Sequence, residues 1–265
     1  MQNAILKLVR SSEDTPAIRL ENFQAWFGEG RVVNKTSLDF PQNKITCLVG
    51  PSGSGKSTVL RSLNRINDDV AGYSKQGRVL VQGQCTHEGF KDITKLRAKI
   101  GMVFQRPCAF PCSIKENVLF GIRDKAMSKI ERAALAEESL KAAALWNEVS
   151  HRLDSPASTL SLGQQQRLCI ARTLAVKPDI LLLDEPTASV DPVSARALET
   201  VIKDLKQKYT IIMVTHDIRQ TKRIADHVVF LCDGDIIESG STQHMFSKTA
   251  KQKTRMYLSE EFCDC

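Results

Sequence analysis

Short, nearly continuous apolar runs recur along the chain at 44–49, 78–82, 100–104, 179–183, 210–214 and 227–232, and each predicts a β-strand. Stretches with helical periodicity separate them. That alternation predicts an α/β architecture, a mostly parallel sheet covered by helices. Residues 17–27 alternate only in part and stop before Gly28, which predicts an early strand ending in a loop. From 127 to 148, Ala, Leu, Glu and Lys dominate and Gly and Pro are absent, which predicts helix. With 113–121, this segment predicts a helical subdomain inserted over about 106–165 of one domain spanning 1–265. Asp233-Gly234-Asp235 predicts a tight turn between two late strands.

Composition narrows the picture. With 265 residues, 42% hydrophobic and 25% charged, the chain is large enough to bury a core without disulfides and has the balance of a folded globular protein. The run Ile180-Leu181-Leu182-Leu183 falls far short of the roughly 18 apolar residues needed to cross a bilayer, so no transmembrane helix is expected. Met1 to Ser12 has neither a long apolar core nor a small-residue cleavage site, so a cytosolic location is expected. A net charge of +7 would suit nucleic acid, but the basic residues do not gather into one arm and no such partner is expected. The eight cysteines contain no C-x-x-C pair and are expected to be reduced thiols, Cys263 and Cys265 near the end included.

The strongest chemical signal is Gly50-Pro51-Ser52-Gly53-Ser54-Gly55-Lys56-Ser57, with Thr58 following it, directly after the strand at 44–49. It matches G-x-x-x-x-G-K-S/T, the phosphate loop. Glycines let the backbone wrap phosphate oxygens, the helix starting near Lys56 points amides at the anion, Lys56 adds charge, and Ser57 is suited to magnesium. A second element, Ile180 to Glu185, brings two carboxylates to the C-terminal end of an apolar strand, where ligands of open α/β sheets bind. Asp184 is suited to hold magnesium and Glu185 to polarise an attacking water. Up to this point the chain reads as a nucleotidase: a kinase, a GTPase, a motor or a transporter ATPase.

Leu160-Ser161-Leu162-Gly163-Gln164-Gln165-Gln166-Arg167 resembles the signature sequence of the ATP-binding-cassette family, and it stands one helix and a turn before Asp184. Gln105, Ser189-Val190-Asp191 and His216 follow that family's order, so the resemblance covers nearly the whole chain. It implies the cassette ATPase fold, with a helical subdomain and an N-terminal antiparallel β region. It implies ATP and Mg2+ as ligands. Gln105 resembles the family's glutamine that reaches magnesium and water. His216 resembles the switch histidine at the γ-phosphate. Phe27 resembles the aromatic that stacks on adenine, with Trp26 as the competing assignment.

The resemblance further implies a head-to-tail homodimer in which Ser161, Gly163 and Gln164 of one copy close over ATP held by the other. Leu162 departs from the family, which usually has Gly there, adding bulk beside the phosphate contact, but Gly163 is kept: the site is expected to close, with altered efficiency as the risk and a weakly hydrolysing subunit as the alternative outcome. Residues 101–107, 110–114, 164–172 and 253–258 are similar to the bacterial phosphate-importer ATPases. That implies a subunit at the cytoplasmic face of the inner membrane, bound to two membrane-spanning permease subunits and served indirectly by a substrate receptor. Another oxyanion or a polar amino acid is the alternative cargo. A cassette ATPase acting on nucleic acid is a further alternative, weighed against by the single phosphate loop and the lack of long heptad runs.

Overall fold

In the computed structural model, which describes residues 15–122 and 126–259, ten strands and ten α-helices are formed. In chain order the first half contains β1 (Ile18–Phe27), β2 (Gly30–Phe40), β3 (Ile45–Val49), α1 (Lys56–Ser62), β4 (Tyr73–Val81), β5 (Gln84–Cys85), α2 (Ile93–Lys99), β6 (Ile100–Val103), α3 (Ile114–Leu119), α4 (Lys129–Ala142) and α5 (Trp146–Val149). The second half contains α6 (Leu162–Ala175), β7 (Ile180–Asp184), α7 (Pro192–Leu205), β8 (Thr210–Val214), α8 (Ile218–Ile224), β9 (His227–Cys232), β10 (Asp235–Ser241), α9 (Thr242–Met245) and α10 (Gln252–Leu258).

Every residue of β3, β7 and β8 is buried, which is why these strands read as unbroken apolar runs: a parallel strand covered on both faces has no polar side. They lie in a six-stranded sheet ordered β10-β9-β3-β8-β7-β6, parallel except for the β10 edge. A second sheet, β2-β1-β4-β5, is antiparallel throughout. Two apolar clusters hold the layers together. Phe23 and Phe40 of the antiparallel sheet share one with Val59 and Leu60 of α1 and with Leu182 and Ile212 of the parallel sheet. On the opposite face, Ile45, Leu181 and Ile211 pack with Val118, Leu140, Leu168 and Ile202 from α3, α4, α6 and α7.

Three expectations change. Beyond the hairpin at Gly28-Glu29 the chain returns as β2, which supplies the N-terminal antiparallel region the family resemblance implied but which no apolar run marked, because only Val33, Leu38 and Phe40 of that polar stretch are buried. The strand expected at 78–82 starts at Tyr73, since backbone pairing with β1 recruits the polar residues before it. The helix expected over 127–148 stops at Ala142. Leu145 is driven into the core with no exposure, and Ala144 takes φ 50° to allow it, so burial overrides helix propensity. Cys47, Cys85, Cys108, Cys112 and Cys169 are free thiols, as expected, but Cys232 is disulfide-bonded, a pairing that cysteine spacing alone does not reveal. Cys263, Cys265 and the segment Met1 to Ser12 lie outside the described residues.

Candidate functional site

Four neighbouring strands, β3, β8, β7 and β6, end at one edge of the parallel sheet, and each delivers one part of the site. The register fixes this: Leu48 pairs with Val214, Val214 with Asp184, and Leu183 with Val103. The phosphate loop follows β3, Asp184 and Glu185 end β7, His216 follows β8, and Gln105 follows β6.

In the phosphate loop, a Cβ at Gly50 would sit 2.0 Å from the Leu231 carbonyl oxygen, so only glycine fits this close passage. Gly55, at the N-cap of α1, offers no side chain to the first helical amides, which leaves them for an anion. Lys56 is 5% exposed and folds back over the loop, donating from Nζ to the carbonyls of Gly50 (2.8 Å) and Pro51 (2.6 Å). Burial pulls its pKa down to about 8, against the upward pull of Glu185 and Asp184. The ammonium therefore rests on backbone carbonyls and is poorly compensated, ready for a stronger anion.

Ser57 Oγ donates to Asp184 Oδ1 at 2.9 Å, across from α1 to the end of β7. Asp184 is 2% exposed, and its other oxygen accepts from Arg61 Nε (3.0 Å) and Nη2 (2.8 Å). A hydroxyl beside a buried carboxylate, with the Gln105 amide nearby on the same sheet edge, is a set of hard oxygen donors that fits magnesium.

Glu185 takes φ 47°, an uncommon conformation for a non-glycine residue and one that turns its side chain out of the strand line. Its backbone amide donates to the Val214 carbonyl at 3.0 Å, which anchors the turn to β8. One carboxylate oxygen accepts from Gln105 Nε2 at 2.8 Å, and the other lies 2.6 Å from His216 Nε2. Thus Gln105, Glu185 and His216, far apart in sequence, form a single contact chain. Phe27, half-buried at the end of β1, packs its ring 5.5 Å from that of Tyr73, whereas Trp26 lies under the Arg31 guanidinium at 5.3 Å.

The signature residues are bonded differently. Ser161 Oγ accepts from the Gln164 amide and Gln164 Oε1 from the Ser161 amide, a capping box that starts α6. Gln164 Nε2 donates to Glu148 at 2.8 Å. A Cβ on Gly163 would meet Ser194 Oγ at 2.6 Å, so helix α7 passes too close for any other residue. Leu162 is 55% exposed. These bonds order the segment from behind and leave its Leu162 side open.

Sequence reasoning missed several polar residues that bind these parts to one another. Arg61 holds Asp184, as described above. Gln166, fully buried, donates to the Phe104 carbonyl at 3.1 Å and so ties α6 to the residue before Gln105. Gln220 joins the segments around Glu185 and His216. The available signal was polarity at apolar-spaced helix positions, which one sequence does not separate from a solvated face.

The profile of the ABC transporter family matches residues 33–188, more than half of the chain. The chain belongs to that family, as an ATP-binding cassette protein. Among its relatives, the phosphate import ATP-binding protein PstB of Thermotoga maritima is 45% identical over 244 residues, covering 92% of this chain and 97% of the relative. The solved structure of cbiO1 from Clostridium perfringens, part of the ABC transporter complex cbiONQ, superposes with a TM-score of 0.78 at 28% identity, covering 89% of this chain and 92% of that one. The ATP-binding cassette MJ0796, solved as a post-hydrolysis dimer bound to ADP and Pi, does so with a TM-score of 0.72 at 31% identity, covering 85% and 98%.

Proposed function

We propose that this chain is the ATP-hydrolysing subunit of an importer of inorganic phosphate. The observation that carries the hydrolytic part is the Glu185 carboxylate, held by Gln105 at 2.8 Å and by His216 at 2.6 Å at the same sheet edge as the phosphate loop. The cargo rests on the 45% identity to a phosphate import ATP-binding protein along nearly the whole of both chains.

Gly50, Pro51, Ser52, Gly53, Ser54, Gly55, Lys56, Ser57 and Thr58 cradle the triphosphate, and Phe27 faces the adenine. Ser57, Asp184 and Gln105 would hold a magnesium ion, which would supply positive charge against the triphosphate. Glu185 accepts a proton from water as the water oxygen attacks the γ-phosphorus, while His216 contacts the γ-phosphate and fixes the line of attack; the bond to the ADP oxygen breaks as the new one forms. Ser161, Gly163 and Gln164 of a second copy complete the site, so two ATP molecules bridge a head-to-tail homodimer. Hydrolysis removes these bridges and releases the dimer, and that cycle rocks two membrane-spanning permease subunits at the cytoplasmic face of the inner membrane. A substrate receptor acts on the permeases from the other side, and no nucleic acid takes part. No helix among the described residues is long and apolar enough to cross a membrane, which is consistent with a peripheral subunit.

The test is ATP hydrolysis and uptake by the complete complex in vesicles, with and without phosphate and its receptor. Phosphate-dependent stimulation with uptake is expected. Stimulation by another oxyanion or a polar amino acid would reassign the cargo, and stimulation by nucleic acid that declines steeply with salt would remove the transport reading altogether.

A further inference from the structure

Gln220, in α8, is 1% exposed, yet every polar atom of its side chain has a partner. Its Oε1 accepts from Thr215 Oγ1 at 2.8 Å. Its Nε2 donates to Thr187 Oγ1 at 3.1 Å and to Glu199 Oε1 at 3.3 Å. Its backbone amide donates to Asp217 Oδ1 at 2.7 Å, and the Asp217 amide donates to Thr215 Oγ1 at 3.1 Å. His216 is therefore flanked by two residues that both bond to Gln220. Glu185 lies two residues before Thr187, a third partner. Glu199 is fixed in turn by Arg223, at 2.6 and 2.9 Å, and anchors the amide to α7. The network lines a cavity of about 390 Å3 whose wall also includes Glu185 and His216.

We propose that Gln220 is a positioning residue which sets the spacing between Glu185 and His216 for hydrolysis. The inference rests on the proposed roles of those two residues. A planar amide with a fixed acceptor on one side and a donor on the other holds the β8 end and the segment after β7 at a set distance. A buried hydrogen-bonding hub lets neither segment move without leaving a polar atom unpaired. Small displacements are enough to matter, because misplacement of catalytic groups by about 1 Å can cost on the order of 100-fold in rate.

The test uses the full chain with ATP and magnesium and compares Gln220→Leu, His216→Ala, the two combined, and the swapped pair Gln220→Glu with Glu199→Gln. Gln220→Leu is expected to lower kcat at least tenfold while KM for ATP stays within threefold, measured at a temperature where the variant is folded. In the swapped pair the carboxylate accepts from both threonine hydroxyls and from the new amide at 199, and kcat is expected to recover most of the loss. Combined with His216→Ala, the Gln220→Leu change should add almost nothing, since its effect runs through that histidine. Wild-type kcat in Gln220→Leu, additive losses in the combined variant, or a KM that rises as kcat falls would each overturn the inference. Should Gln220→Leu not fold, Thr215→Val removes one hydroxyl of the hub at nearly constant volume, and an unchanged kcat there is equally fatal. Unchanged turnover in His216→Ala would instead overturn the underlying site reading, and with it this inference.

Discussion

Two regions of this molecule, the phosphate-loop edge and the signature segment, are built on opposite plans. At the phosphate-loop edge the polar side chains bond to one another across four strands: Ser57 to Asp184, Gln105 to Glu185, and Glu185 against His216. At the signature, Ser161 and Gln164 bond to each other and to Glu148, and Gly163 abuts Ser194, all behind the segment. The first region is a chemical apparatus assembled within one chain. The second is an open face with no reacting group, in keeping with the proposal that it serves a site on a second copy.

The largest effect that separates the regions is expected from Glu185→Gln. It should lower kcat by about 100- to 10,000-fold, the range for removal of a general base, while ATP binding persists; unchanged turnover would refute the role given to Glu185. Gly163→Ala, at the other region, should spare ATP binding by the separate chain but weaken ATP-driven dimerisation. The clash with Ser194 should cost about 1–3 kcal/mol of stability, read as a fall in melting temperature of ~2–4 °C per kcal/mol. An unshifted melting curve would mean that α7 yields easily.

A subtler distinction is electrostatic. Burial holds Lys56 at a pKa of about 8, and a bound triphosphate stabilises its charged form and raises that value. ATP binding near pH 8 should thus take up protons, and affinity should fall as pH rises above 8; well below pH 8, where the ammonium is already charged, uptake should vanish. Calorimetry in buffers of different ionisation enthalpy measures the uptake, and heats independent of buffer at pH 8 would contradict it. The smallest effect is expected from Leu162→Gly. This exposed position at the first turn of α6 should lose about 0.5–1 kcal/mol of stability and change turnover by less than threefold.

Most of the parallel sheet was legible because its strands are buried on both faces, and continuous apolar runs such as 180–183 have few other readings. The phosphate loop and the acidic pair were legible for a related reason: phosphate contact restricts residue type at fixed spacing. By contrast, β2 left no apolar run and was reached only through the antiparallel region that the family resemblance implied, since a strand with one solvated face carries its signal in backbone pairing with β1. The end of α4 was also misplaced, because the pull of Leu145 into the core is a tertiary effect with no local cue. Gln105 and His216 needed the family's order to be found at all. Gln166, though inside the signature stretch, was given no role and Gln220 escaped notice, because their importance lies in partners more than twenty residues away in sequence.

The proposed sharing of the site between two copies is best tested by sedimentation of the Glu185→Gln variant with and without ATP and magnesium, since slow turnover keeps the triphosphate in place. A single chain of 29.5 kDa without nucleotide and a particle of twice that mass with ATP is the result expected of two phosphate loops bridged by two signatures. A protein that binds ATP and yet remains at the mass of one chain across all accessible concentrations would contradict it.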